Sequence, residues 1–273
     1  MRRHRLLPIL LTVVVAAYAL PTVVQLSTSV KTDPDALAHP LRLLPHPPTL
    51  QAWRQALGTQ DDANPVGRWA LNSVGVSLVV TVGRVLLDAL AGYALARLSF
   101  RGRRGVLGLL VVVMAVPGVA LLIPTFLVVT YLGMYDTYAA MILPMLVDAA
   151  GILIMKQFFE SVPASYAEAA RLDGAGELQI LWHVLLPLAR PALVTVAVLA
   201  FQASWNDLSH YLAATSSVEH KTLVTGLADL TAGNLGAGTQ RPLKMATALL
   251  TTVPVVAVVV ASQRYLTHLD PRR

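Results

Sequence analysis

Cysteine is absent from all 273 residues, so disulfides, thiol nucleophiles and cysteine-based metal sites are excluded. Charge is scarce. Asp, Glu, Lys and Arg together make up 13% of the chain, where a soluble domain carries about a quarter. No glycine-rich Walker loop ending in Lys and Ser or Thr occurs, so this chain is not expected to bind ATP itself. The histidines are scattered, with no i,i+4 pair and no metal-ligand spacing, and no metal is expected. Internal repeats and low-complexity tracts are missing as well. No catalytic constellation remains, and the chain reads as something other than an enzyme.

What the chain has in abundance is apolar surface. Hydrophobic residues are 55% of it, and the mean hydropathy is +0.62. Such a chain needs lipid around it. The net charge of +6 would also suit nucleic acid, but the basic residues lie between apolar runs rather than along one stripe. They read as topology signals, and no nucleic-acid partner is expected.

The apolar runs divide the chain into six candidate spans, each near the roughly 20 residues that a bilayer requires. The first follows Arg2, Arg3 and Arg5 and runs from Leu6 to about Leu26. No small-residue cleavage site follows it, so it reads as a retained span rather than a signal peptide. Residues 27 to 68 are polar and proline-rich, with a short surface helix at Gln51 to Leu57 carrying Trp53. The second span, about Trp69 to Ala96, holds Arg84 and Asp88 at i,i+4. One charge at mid-membrane costs roughly 2.5–3.5 kcal/mol on insertion scales. The spacing predicts a self-satisfied pair facing the bundle, with a polar lining of a pathway as the alternative. The third span, about Gly105 to Val129, contains Pro117 and Pro124 and should be kinked or interrupted. The fourth, about Tyr138 to Phe159, carries Asp148 near its middle. That carboxylate either lines a solute path or bonds a neighbouring span. The fifth runs from about Pro191 to Leu212, with Asn206 near its outer end. A glycine-containing polar connector, 213 to 242, precedes the sixth span, about Leu243 to Ala261.

Six spans put both termini on one side. Of the 21 Lys and Arg residues, 13 fall on the side of the termini, 7 on the other, and Arg84 within the membrane. By the positive-inside rule the termini, the basic loop Arg97 to Arg104 and the polar segment of about 160–190 are cytoplasmic.

That polar segment holds the chain's most informative pattern. Ser161-Val162-Pro163 and Ser165 offer helix starts, and Ser165 with Glu168 stands in capping-box spacing. Ala169 and Ala170 favour helix and leave a low profile. Gly174 sits where a helix C-terminus wants positive φ. A second amphipathic segment, Glu177 to Leu185, follows, and Pro187 should block its continuation. The segment reads as two short helices with a sharp turn between them, held at the membrane surface.

Glu168-Ala169-Ala170, then Gly174 six residues after the Glu, Val184 and Leu186-Pro187 resemble the EAA loop of ABC importer permeases, most closely the sugar-type family. Asp173-Gly174-Ala175 is the usual form in that branch. Asn72-Ser73, Ala91-Gly92-Tyr93-Ala94, Phe100-Arg101-Gly102, Trp205-Asn206-Asp207 and Pro254 with Gln263-Arg264-Tyr265 extend the resemblance over about residues 68 to 266. It implies an all-α, polytopic membrane protein with six transmembrane helices and the type-1 importer fold. The organisation would be an N-terminal helix (1–30), an extracytoplasmic connector (31–67), the importer transmembrane domain (68–266) and a cytoplasmic tail (267–273). The implied partners are a second, homologous permease, an ATPase dimer that carries ATP-Mg, and an extracytoplasmic solute-binding protein. Glu168, Ala169, Ala170, Asp173, Gly174, Leu186 and Pro187 would form the ATPase-coupling element. Asp148, Arg84, Asp88 and Asn206 are candidates for the translocation pathway. The competing reading of the residues is an ion-coupled carrier using Asp148. That class would show more intramembrane carboxylates and usually an internal repeat.

Overall fold

A computed structural model describes residues 3–57, 65–232 and 240–266. The expected tail at 267–273 and the connector glycines Gly233, Gly236 and Gly238 lie outside the described residues. Among those described, every regular element is a helix. In chain order they are α1 (Arg3–Ser29), α2 (Asp33–Ala38), α3 (Gln51–Ala56), α4 (Val66–Arg97), α5 (Arg103–Ala115), α6 (Leu122–Tyr131) and α7 (Tyr138–Ile142). There follow α8 (Ala149–Ser161), α9 (Ala164–Leu172), α10 (Glu177–Leu188), α11 (Arg190–Asn206), α12 (Ser209–Ala214), α13 (Leu223–Ala232) and α14 (Arg241–Leu266).

Three of these, α1, α4 and α14, are long and apolar enough to cross a membrane unaided. Three further spans are bent pairs, so the total reaches six when each pair counts as one. The prolines set the breaks. Between α5 and the turn that leads into α6 the chain bends by 99° at Pro117. The fourth expected span bends by 42° between Met145 and Ala149, just after Pro144. The helix α4 has no proline over its 32 residues and runs unbroken.

The described residues of 1–71 and 222–254 form one compact unit. There Trp53 donates to Ser29 Oγ at 3.1 Å. Buried Lys31 donates to the His39 carbonyl at 2.8 Å. The sequence reading of 213 to 242 as a polar connector needs correction here. Leu223–Ala232 is a helix with Leu223 and Leu230 buried. Thr222 starts it, its Oγ1 accepting from Thr225 N at 3.4 Å while Thr225 Oγ1 accepts from Thr222 N at 2.9 Å. This reciprocal cap satisfies two helix-end donors.

The described residues of 72–221 and 255–266 form the second unit. Two cores lie in it. One joins α4, α6, α7 and α12 through Val76, Val80, Val129, Met141 and Tyr211. The other joins α4, α8, α9, α10 and α11 through Tyr93, Met155, Phe159, Ala167, Ile180 and Leu185. α4 and α8 touch closely at Gly92, where a Cβ would stand 2.7 Å from Met155 Cβ and 2.9 Å from Lys156 N.

The turn before α7 is pinned by Asp136, which adopts φ 59°. Its Oδ1 accepts from Ser216 N at 3.0 Å and from Ser217 N and Oγ, both at 3.1 Å, with His220 Nδ1 at 3.4 Å. Burial pushes this carboxyl up, but the donors from Ser217, Ser216 and His220 together outweigh it and hold it below the usual range. A depressed carboxyl contributes stability above its unfolded value, about 3.9, and loses it as pH falls through the folded value. Asp136→Asn is therefore expected to lower the thermal midpoint in detergent at pH 6. The gap from wild type should narrow as the pH is taken to 3. A gap that stays constant over that range would contradict this assignment.

Candidate coupling loop and solute cleft

The polar segment folds as α9, a turn and α10. Pro163, with φ −55°, is the N-cap of α9, and no side chain caps it. The expected Ser165–Glu168 capping box is therefore not made. Ser165 lies in the second helical position, too late to cap, and Glu168 one turn further on. Glu168 is exposed, and among the described residues its carboxylate has no hydrogen-bond or ion-pair partner. Ser165, Glu168, Ala169 and Leu172, the last 89% exposed, form one outward stripe at helical spacing. Ala167 is buried, and Ala170 packs partly against the α8–α10 core. Ala170 thus faces inward, where the sequence alone placed it outward beside Ala169.

The turn after α9 is a Schellman cap. Ala175 N donates to the Ala170 carbonyl at 2.9 Å and Gly174 N to that of Arg171 at 3.0 Å. Gly174 has φ 83°, and Asp173 is the exposed residue before it. Beyond the cap, Glu177 opens α10. Its Oε1 accepts from Arg171 Nε at 3.0 Å and its Oε2 from Arg171 Nη2 at 3.3 Å. Tyr93 Oη of α4 also donates to Oε2. The hydroxyl of Tyr93 is the main cause, with Arg171 adding to it against burial, of a Glu177 carboxyl held below its usual range.

Pro187 does not stop the second helix. The winding widens to a π form over Ile180–Leu185, where Leu186 N reaches back five residues to the Leu181 carbonyl. A widened turn shifts the hydrogen-bond ladder upstream of a proline that cannot donate. Helical winding then persists through Leu188, with Leu186 packed against the core and Pro187 exposed. The chain breaks at Ala189 and turns 83° into α11.

The broken spans surround a cleft of about 540 Å³ lined by Arg84, Gly118, Val119, Leu121, Leu122, Thr125, Pro144, Met145, Asp148, Asp207, Ser209 and His210. Two of the four pathway candidates line it. Arg84 Nε donates to the Met145 carbonyl. Asp148 is the N-cap of α8, its Oδ2 accepting from Gly151 N at 3.0 Å. Its bond is thus to its own helix, not to a neighbouring span. The other two candidates lie elsewhere. Asn206 is exposed and donates to the Gln202 carbonyl of its own helix at 3.0 Å. Asp88 is 1% exposed, and neither of its carboxylate oxygens has a hydrogen-bond partner among the described residues. The expected Arg84–Asp88 pair is not formed, because Arg84 turns to the open Met145 carbonyl at the break before α8. Asp88 instead lies against the first turn of α8, where a Cβ on Gly151 would overlap its carboxylate.

Asp207, Ser209 and His210 were not singled out as pathway residues by sequence reasoning. Asp207 Oδ1 accepts from His210 N at 2.9 Å, and His210 Nε2 lies 3.2 Å from the Met141 carbonyl. Their signal was the Trp205-Asn206-Asp207 run, whose cleft-facing member is Asp207.

Helices that break at prolines around a polar cleft, with a small-residue helix turned out at one end, define a multi-pass transporter component. The transmembrane-domain model described as "Binding-protein-dependent transport system inner membrane component" matches residues 88–273, and the chain belongs to that family. It is 31% identical over 237 residues to the sn-glycerol-3-phosphate transport system permease protein UgpE of Yersinia enterocolitica, covering 85% of this chain and 83% of the relative. It is 34% identical to the sulfoquinovosyl glycerol transport system permease protein SmoH of Agrobacterium fabrum, over 76% and 72% of the two chains. The trehalose transport system permease protein SugB of Mycobacterium tuberculosis is also 34% identical, over 71% of each. A solved bacterial ABC transporter that imports the acidic polysaccharide alginate superimposes with TM-score 0.81 at 26% identity, over 97% of this chain and 98% of that one. The chain is accordingly a permease component of a binding-protein-dependent importer, which sets aside the ion-coupled carrier.

Proposed function

We propose that this permease forms half of a translocation pathway with a second, similar permease, and couples to an ATPase dimer through α9. An extracytoplasmic binding protein delivers the solute. ATP-Mg is bound and hydrolysed on the ATPase subunits, and this chain holds no cofactor. Both termini and the 160–190 segment are cytoplasmic. The observation that carries the reading is Glu168, a solvent-facing carboxylate without a partner among the described residues, beside exposed Ala169. A low-profile stripe with one open charge suits a groove with a basic residue in it. Asp173 and Gly174 present the helix, and Leu186 and Pro187 carry the chain back towards the membrane.

The solute passes the cleft of Arg84, Asp148, Asp207 and His210. Polar groups of both signs beside the apolar wall of Val119, Leu121 and Leu122 suit a hydroxyl-rich molecule, which presents alternating polar edges and carbon faces. A sugar, polyol or glycerol-phosphate compound is the class proposed, in keeping with what the relatives are named for. Lipid surrounds α1, whose best apolar window has 0% of its residues buried within the chain.

The absence of native cysteine makes the topology directly testable. A Gly174→Cys variant should be unreactive towards an impermeant thiol reagent added outside intact cells, and reactive in inside-out vesicles. Labelling from outside would place α9 on the wrong side for any ATPase.

A further inference from the structure

We infer that Glu177 is the joint through which movement of α9 reaches α4, and with it the wall of the solute cleft. This rests on the reading of α9 as the ATPase-docking helix. Glu177 is held by Arg171 of α9 on one side, through two hydrogen bonds, and by Tyr93 of α4 on the other. The Tyr93 ring is 4% exposed and stands edge-on to Phe159 of α8 at 5.9 Å. One turn further along α4, Arg97 Nη2 donates to the carbonyls of Phe159 and Val162, where α8 ends. The end of α4 is thus bonded directly to the end of α8, and among the described residues its polar link to a side chain of α9 runs through Glu177 to Arg171.

α4 is suited to carry a displacement. It has no proline and no break between Arg97 and Arg84. From Tyr93 to Arg84 is about 13 Å of rigid helix at 1.5 Å per residue. Arg84 lies in the cleft wall and holds the Met145 carbonyl at the break of the fourth span. A shift of α9 that pulls on Tyr93 therefore reaches the cleft through covalently continuous helix. Glu177 lies outside the exposed stripe of α9, so its role is positioning rather than ATPase contact.

The test uses the full assembly, this chain with its partner permease, ATPase subunits and binding protein, in proteoliposomes. Tyr93→Phe removes one hydroxyl and keeps the packed ring. Glu177→Gln removes the charge and keeps the shape. Each should retain the ATPase and continue to hydrolyse ATP, while solute moved per ATP falls about tenfold, the scale of one charge-assisted hydrogen bond. The double variant should be no worse than either single, since both break one linkage. Unchanged transport per ATP in both single variants overturns the inference. So does loss of the ATPase from both, which would make Glu177 a support for the docking surface only. A wild-type chain that retains no ATPase would remove the docking reading itself, and the inference with it, before any variant is compared.

Discussion

Ala169→Leu and Glu168→Ala are each expected to leave this permease in the membrane and to abolish solute uptake. Both residues are exposed on α9, and neither holds the chain's own fold together. A leucine at Ala169 places three more carbons on a surface meant to enter a groove. Loss of a partly desolvated charge contact at an interface costs about 2–5 kcal/mol, so ATPase retention should fall about 30-fold or more. Gly174→Leu acts differently. It has open space around it, but its φ of 83° strains any side-chain-bearing residue, at about 1–2 kcal/mol. The Schellman cap that presents α9 should loosen, and uptake should fall with it. Ala170→Leu is a poorer probe of docking, because Ala170 already packs inward. It should disturb the loop's own packing. Uptake and ATPase pull-down from solubilised membranes measure all four. Normal uptake in the Ala169, Glu168 and Gly174 variants would show that α9 is not the coupling element.

The second large effect concerns the start of α8. A methyl group at Gly151 would collide with the Asp88 carboxylate, whose Cγ would lie 2.7 Å from the new Cβ. Asp88 is 1% exposed and has little room to turn away. Overpacking of this kind costs typically about 1–3 kcal/mol. At about 2–4 °C per kcal/mol for a chain of this size class, Gly151→Ala should lower the thermal midpoint by several degrees. It should also reduce uptake, because Gly151 N holds the Asp148 carboxylate that lines the cleft. Asp88→Ala removes the colliding atoms and an unsatisfied buried carboxylate, so alone it should be neutral or stabilising to the fold. Combined with Gly151→Ala it should restore the midpoint. Additive losses in the double variant would refute this contact.

Much of the helical architecture was legible because lipid imposes a simple rule on sequence: apolar runs become helices. Pro117 also spoke in advance, since it marks the bend expected in the third span, whereas the bend after Pro144 was not expected. Other features depended on distances the sequence does not contain. Arg84 and Asp88 have ideal spacing for a pair, but the break at Met145 leaves a carbonyl that competes for the guanidinium. Ser165 and Glu168 have ideal spacing for a cap, but Pro163 starts the helix earlier. Pro187 should end a helix, but a π turn upstream accommodates it. His210 looked isolated, since Arg84, Val119 and Asp148, which share the cleft with it, lie far along the chain. In each case a local rule met a partner supplied by tertiary structure.

The most direct test of the account is the energy source. The assembled permease, ATPase and binding protein would be placed in proteoliposomes, with ion gradients collapsed by ionophores and radiolabelled solute supplied on the binding-protein side. The account predicts accumulation that requires ATP on the α9 side and is indifferent to imposed proton or sodium gradients. Accumulation that follows an imposed gradient and proceeds without ATP would contradict it.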